Sequence, residues 1–353
     1  MDRVAILLAN YLVAKGVRAE LWMARTDGSL ASLIASDVVV RQIPTMPLSR
    51  GISMLAQLPA LRSMLRQHRP DILYSAGNQS NLLAACAVLG TPTKAVGRIS
   101  NPIVRPGSRG LLARLRHKRF QATAWLSRMT IVMGAADAEL LAGACGALRK
   151  KITLLPRPTV TPLLRKTGEE RPAGSTGPVR ELLAVGRLVP QKDHRTMLSA
   201  LAQLTGHVWR LRIVGQGPLL DELKQYCRAL GIDQKVEFLG FVGDPNALAE
   251  LYGSSELLLQ SSRWEGLTAT AIEALACGCG VVITDCTPNL REIIADAGHH
   301  PMVPVGDVTA FAAAIDSALS KPGHPARARE AVRSYDVDTA LAEHHKMFAS
   351  LVR

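Results

Sequence analysis

Two glutamates eight residues apart, Glu265 and Glu273, stand in the run from Ser261 to Gly278, Ser-Ser-Arg-Trp-Glu-Gly-Leu-Thr-Ala-Thr-Ala-Ile-Glu-Ala-Leu-Ala-Cys-Gly. A carboxylate accepts two hydrogen bonds at once, so a vicinal diol such as the 2′ and 3′ hydroxyls of a ribose is its natural partner. With Glu265 in a loop and helix from Thr268 onward, Glu265 can face sugar hydroxyls while the helix N-terminal amides meet phosphate. Glu273 by itself would be a surface residue. Ile272, Ala274, Leu275 and Ala276 make the helix apolar nearly all round, however, which is the pattern of a buried helix holding a carboxylate for a purpose.

Two further clusters carry charge or open backbone. In Val185-Gly186-Arg187-Leu188-Val189-Pro190-Gln191-Lys192, a glycine ends a strand-like run and two cations follow. Arg187 offers a fork of donors and Lys192 a point charge, a pairing suited to a diphosphate, although the short pattern alone describes two surface cations equally well. In Ile213-Val214-Gly215-Gln216-Gly217-Pro218, the missing side chains of Gly215 and Gly217 would let a ligand approach backbone amides. The third glycine of GxGxxG is absent. An acidic strand-end residue about 20 positions on is absent too, since Glu237 lies inside a strand-like run, so a nicotinamide cofactor is not expected.

These residues need a scaffold that presents strand ends. After residue 179 the chain reads strand at Glu181 to Val185, helix at Thr196 to Leu204, strand at Trp209 to Val214 and helix at Leu219 to Leu230. Strand-like runs continue at Val236 to Leu239, Leu257 to Gln260 and Val281 to Thr284, a complete Rossmann-like α/β unit with ligands expected at its strand C-termini. A length of 353 residues exceeds one core and predicts two domains. Four prolines from Pro158 to Pro178, with Gly168, Gly174 and Gly177, read as an interdomain linker. The expected division is therefore 1–157, linker 158–178, second domain 179–335 and a terminal helix from 336 to 353.

The first half opens unusually. Arg3 to Lys15 reads as a helix with Val4, Leu7, Leu8 and Leu12 on one face, Gly16 stops it, and strand-like Val17 to Met23 follows. A doubly wound sheet normally begins with a strand, so this half reads as the second and third elements of such a unit, with the opening strand and its glycine loop missing and the chain shortened at its start.

Composition narrows the function classes. With 48% hydrophobic and 20% charged residues the chain is globular, and no apolar run approaches the roughly 18 residues of a membrane span. The net charge of +13 is uneven: residues 1–171 hold 25 Lys and Arg against 9 Asp and Glu, and the remainder 17 against 20. From Arg98 to Arg119 there are seven basic residues and no acidic one, which points to an anionic membrane surface as partner. Aromatics at 4% supply no stacking platform, so nucleic acid is not expected. The six cysteines lack zinc spacing and read as reduced thiols; Cys277 and Cys279 read as small residues packing a helix end. Asp336-Val337-Asp338 reads as a helix cap rather than a metal site.

In order and spacing, GRLVPQK, IVGQGPLLDEL, LGIDQKVEFLGFV and SRWEGLTATAIEALACG resemble glycosyltransferase family 4, the retaining GT-B group, over roughly the whole C-terminal half. The first half resembles it more weakly, through Arg3 to Asn10 with Gly16 and through Ile152 to Pro158. The resemblance implies two Rossmann-like domains facing a cleft. It implies that Arg187 and Lys192 hold a donor diphosphate, that Glu265 contacts the donor sugar and Glu273 the ribose, that backbone at Gly266, Leu267 and Thr268 binds phosphate, and that Phe241 and Val242 flank the base, with Gly186, Gly215 and Gly217 lining the site. It implies a metal-free transfer with retention from a nucleotide-diphosphate sugar to a glycan or lipid-linked acceptor on the cytoplasmic side of a membrane, without a resident cofactor. Where many members place a histidine, this chain reads Gly97-Arg98-Ile99-Ser100-Asn101, so Arg98, Ser100 or Asn101 is expected to line the cleft instead. A catalytically impaired nucleotide-sugar binder at the membrane surface is the alternative reading.

Overall fold

The computed structural model describes residues 2–25, 30–44, 56–103, 110–171, 177–298 and 300–352. The chain divides into two units, Met1–Pro158 together with Asp338–Arg353, and Thr159–Val337.

In the first unit the helix Arg3–Ala14 starts where Asp2 caps it, its carboxylate accepting the amides of Val4 and Ala5 at 2.9 and 3.4 Å. Gly16, at φ +75°, turns the chain out of it. The helix buries Val4, Ile6, Leu8 and Ala9. That differs from the expected stripe of Val4, Leu7, Leu8 and Leu12, because Ile6 and Ala9 pack on Leu21 and Val38 of the neighbouring layer. Strands β1 (Glu20–Met23) and β2 (Val39–Gln42) form one parallel pair. Strands β3 (Ile72–Ser75), β4 (Lys94–Arg98), β5 (Met129–Val132) and β6 (Ile152–Leu154) form a separate parallel sheet in sequential order. The helix Val337–Val352 belongs to this unit and buries Ala340, Leu341, His344, Phe348 and Leu351. Its Phe348 ring meets Tyr74 edge-on, with centroids 5.6 Å apart.

The stretch read as a linker contains a helix, Pro162–Glu169, capped by the Thr161 hydroxyl and begun by proline in its first turn. It packs within the second unit, where Val160 bridges Asp336 and Arg165 pairs with Asp336 at 2.8 Å. Residues 172–176, in the same stretch, lie outside the described residues.

The second unit is one six-stranded parallel sheet ordered β12-β11-β10-β7-β8-β9. Its strands are β7 (Arg180–Val185), β8 (Trp209–Val214), β9 (Val236–Gly240), β10 (Leu257–Gln260), β11 (Gly280–Thr284) and β12 (Met302–Val303). The first strand of the unit, β7, sits in the middle, bonded to β8 on one side and β10 on the other. Leu182, Ala184, Leu211, Ile213, Leu259 and Val282 from these strands share a core with Leu198, Phe311 and Ile315 of the covering helices. The chain leaves β7 in one direction and returns through β10 in the other, so a crevice opens where those two strands end.

Candidate active site

Three of the segments singled out above end at that crevice. Gly186 to Lys192 follows β7, Gly215 to Gly217 follows β8, and Ser261 to Glu265 follows β10. Lys192 Nζ lies 2.7 Å from Glu265 Oε1, with the two side chains only 15% and 13% exposed, so residues 73 positions apart form one ion pair. Hydrogen bonds strap the two loops around it. Arg263 N donates to Gln191 O at 2.8 Å, Gln191 Nε2 to Trp264 O at 2.9 Å, and Ser261 Oγ to Asp193 O at 2.8 Å. Asp193, in a left-handed conformation at φ 47°, is buried and accepts from Thr196 Oγ1 and Arg263 Nε, both at 3.1 Å. The neighbouring His194 ring sits beside the Arg187 carbonyl, and burial pushes its pKa down to about 4, so it is neutral at physiological pH. The Arg187 side chain itself is exposed.

The helix Ala269–Ala276 behaves as its apolar neighbours require, with every residue from Ala271 to Ala276 buried. Glu273 is 9% exposed, and its Oε2 accepts from Tyr252 Oη at 2.8 Å. Tyr252 is fully buried, and burial together with the Glu273 charge holds its hydroxyl well above the ordinary pKa, so it stays a donor. At the helix N-terminus the Thr268 hydroxyl turns away to Gln260 Oε1 at 2.6 Å, so the N-cap side chain leaves the first-turn amides uncapped. Gly266 is held by Thr287 Oγ1 and Asn289 Nδ2, which donate to its carbonyl at 2.7 and 3.3 Å. Leu267 and Thr268 are buried, whereas Phe241 stands 68% exposed beside the half-buried Val242.

The chain matches the family described as Glycosyl transferases group 1 over residues 168–335 and the one described as Glycosyltransferase Family 4 over residues 1–161. It is a member of glycosyltransferase family 4, of the GT-B type. Over 115 residues this family 4 chain is 36% identical to the N-acetylgalactosamine-N,N'-diacetylbacillosaminyl-diphospho-undecaprenol 4-alpha-N-acetylgalactosaminyltransferase of Campylobacter jejuni, covering 33% of this chain and 30% of that protein. Its matches span about a third of the length of the first curated relatives. Its fold is that of the lipopolysaccharide outer core galactosyltransferase WaaB, with a TM-score of 0.77 at 18% identity over 99% of this chain and 96% of that one. It is also that of Anabaena Alr3699/HepE, solved in complex with UDP-glucose, with a TM-score of 0.74 at 19% identity and the same coverages.

Some expectations for this family 4 chain require correction. At Gly215 and Gly217 the missing side chains also serve the packing of the loops. A Cβ on Gly215 would overlap the Gly186 carbonyl, and one on Gly217 the Leu188 carbonyl, so these glycines let the β7 and β8 loops close on each other. Gly186 makes room for Lys192, whose Cε would stand 3.2 Å from an added Cβ. Arg98 is not part of an exposed basic surface: it is 3% exposed and bonded to the Asp2 carboxylate at 3.0 Å. Ser100 is tied through its amide to Asn78 Oδ1 at 2.7 Å, and of the basic run, residues 104–109 lie outside the described residues. Cys277 and Cys279 are buried thiols pushed up to about 12, which makes them unreactive packing residues. Sequence reasoning missed Tyr252, Gln260, Asp193 and His194. Asp193 and His194 directly follow the GRLVPQK run and could have been read with it; Tyr252 and Gln260 bear on the site only through tertiary packing. A cavity of about 520 Å³ lined by Val160, Arg165, Glu169, Arg329 and Asp336, among others, contains none of the site residues.

Proposed function

We propose that this chain is a retaining, metal-independent glycosyltransferase that moves a sugar from a nucleotide-diphosphate donor to a glycan or lipid-linked acceptor in surface polysaccharide or glycolipid synthesis. The observation that carries the reading is the convergence of Lys192 and Glu265 at the ends of β7 and β10, with Glu273 buried nearby on the helix that follows. A donor diphosphate would take the Lys192 ammonium from Glu265 and meet the Arg187 fork, so both cations would offset the charge that develops as the sugar–phosphate bond breaks. Glu265, released from that pair, would accept from sugar hydroxyls. Glu273, oriented by Tyr252, would accept from the ribose, and the uncapped amides at Thr268 would receive phosphate. The acceptor hydroxyl would lose its proton to the departing phosphate, so the step calls for neither a resident metal nor a cofactor.

Two names support the substrate classes. The Campylobacter jejuni relative is named for a diphospho-undecaprenol acceptor, and Alr3699/HepE is described with UDP-glucose. A membrane surface fits the helix Leu111–Leu126, which exposes Leu111, Leu112 and Leu115 beside exposed Arg114, Lys118 and Arg119. Liposome association that is unchanged after those three cations are neutralised would remove this part of the reading. Among the described residues no helix is long and apolar enough to cross a membrane.

The test is thermal stabilisation of the chain by a panel of nucleotide sugars, repeated on Arg187→Ala and Glu273→Ala, followed by transfer assays with the donor that shifts the melting temperature. A donor that stabilises the parent chain but neither variant, and is turned over in EDTA, supports the proposal. Stabilisation without turnover favours the alternative of a nucleotide-sugar binder, and no stabilisation by any donor overturns both.

A further inference from the structure

Gln260 ends β10, a strand whose other residues, Leu257, Leu258 and Leu259, are buried leucines, and Gln260 is itself only 5% exposed. Its Oε1 accepts from the Thr268 and Thr270 hydroxyls at 2.6 and 2.9 Å, and those two hydroxyl oxygens lie 2.8 Å from each other. The three groups form a triangle at the N-terminus of helix Ala269–Ala276, directly after the loop that carries Glu265. Thr268 is buried and Thr270 half-buried, so Thr270 is the corner that a ligand can reach.

Inside the triangle there are too few hydrogens. Two hydroxyl hydrogens serve three oxygen–oxygen contacts, while the buried Gln260 Nε2, with two hydrogens of its own, meets no acceptor among the described residues. A half-turn of the carboxamide about its last bond exchanges Nε2 with Oε1 in nearly the same space. The amide then donates to Thr268 and Thr270, Thr268 donates to Thr270, and the Thr270 hydroxyl keeps its hydrogen for an acceptor outside the triangle. The half-turn leaves a buried carbonyl oxygen unpaired in place of a buried amide nitrogen. An anion at the helix N-terminus tips that balance, because the uncapped first-turn amides draw it to the same place.

We infer that Gln260 is a positioning residue for the phosphate of the nucleotide donor: its carboxamide turns over when phosphate occupies the helix N-terminus, and the Thr270 hydroxyl then donates to a phosphate oxygen. In the donor site proposed above, on which this depends, Thr270 thus adds a side-chain contact to those of Arg187 and Lys192, and Gln260 directs its hydrogen. The ligand group is an acceptor of hydrogen bonds, because the turned carboxamide saturates the Thr270 oxygen and leaves only its hydrogen to offer.

Calorimetric titration of the full chain and its variants with UDP, GDP and ADP tests this. Thr270→Val, which keeps the shape and removes the hydroxyl, should weaken binding of the diphosphate about tenfold, and Thr270→Ser should restore most of it. Gln260→Glu can only accept, so it holds both hydroxyl hydrogens, whereas Gln260→Leu holds neither. The Glu variant should therefore bind about tenfold more weakly than the parent and the Leu variant less than about threefold more weakly. A side chain that merely pins the helix gives the reverse order. When Gln260→Glu is combined with Thr270→Val the two losses should not add, since both act through one hydroxyl; full additivity would mean that the new charge repels the ligand directly, and it overturns the inference. Equal affinity of the parent and Thr270→Val, or a greater loss with Leu than with Glu at Gln260, overturns the inference and leaves the donor reading standing. Failure of all three nucleotides to bind the parent overturns both.

Discussion

The two units present the same doubly wound plan in two conditions. In the second, β7 is held on both sides and carries Gly186, Arg187 and Lys192 at its end; in the first, β1 and β3 each keep one edge unpaired among the described residues. The difference teaches where precision is needed. Loops that present Lys192 to Glu265 at 2.7 Å are anchored by a strand bonded along both edges, and hydrogen bonds between the loops add to that anchoring.

The largest expected effect sharpens this contrast. Lys192→Ala should lower kcat/KM for the donor that binds by 10²- to 10³-fold, roughly 3–4 kcal/mol of transition-state stabilisation, as for loss of one preorganised donor. The melting temperature should fall by no more than the loss of a partly buried ion-pair partner, because the unit's core does not include this side chain. Steady-state kinetics beside a thermal melt checks it; an unfolded variant would mean that the ion pair supports the sheet rather than the chemistry.

Next comes acid. His194 has a folded pKa of about 4 against an ordinary 6.5, so the unfolded chain binds more protons between those values. Stability is therefore intact above about pH 6.5 and falls as pH drops toward 4, by ~3 kcal/mol over the window. His344 in the first unit, also lowered by burial, acts in the same sense. Glu20, held near 2 chiefly by its hydrogen bond to Arg41, keeps its contribution until pH falls from 4.5 toward 2. Exchange at β7 amides against pH should follow the histidine window, and His194→Asn should flatten it. An unchanged profile in that variant would break the assignment.

What was legible in the sequence follows the same divide. GRLVPQK and the Glu265–Glu273 spacing were readable because each sits at a strand end or on a helix whose own residues are apolar, both local properties. The burial of Glu273 was inferred from its immediate neighbours, and it is buried. Arg98 was misread because its surroundings in sequence are basic, whereas its partner is Asp2, 96 residues away. At Gly215 and Gly217 local sequence could not show that the Gly186 and Leu188 carbonyls crowd the place of the missing side chains. Helix Pro162–Glu169 was hidden by counting prolines and glycines, although Thr161 and Pro162 form a helix start.

Tyr252→Phe probes a residue that spacing could not reveal. It removes the donor to Glu273 Oε2 while keeping the ring, so the cost should be that of leaving a buried acceptor short of a partner, about 1–3 kcal/mol. Urea denaturation of the second unit measures it. A neutral result would mean that Glu273 finds another donor, and its orientation toward a ribose would then not depend on Tyr252.

The smallest effect belongs to the first unit. Gly16 is at φ +75° with nothing within 4 Å of where a Cβ would stand, so Gly16→Ala meets only the backbone penalty of a left-handed conformation, about 1 kcal/mol. Gly16→Asn, a residue that tolerates this conformation, should recover most of the loss. The same substitution at Gly217 would drive a Cβ into the Leu188 carbonyl, and it should cost several-fold more. Equal losses at the two glycines in denaturation would break the comparison, because the turn between the first helix and β1 would then be packed as closely as the loops around Lys192.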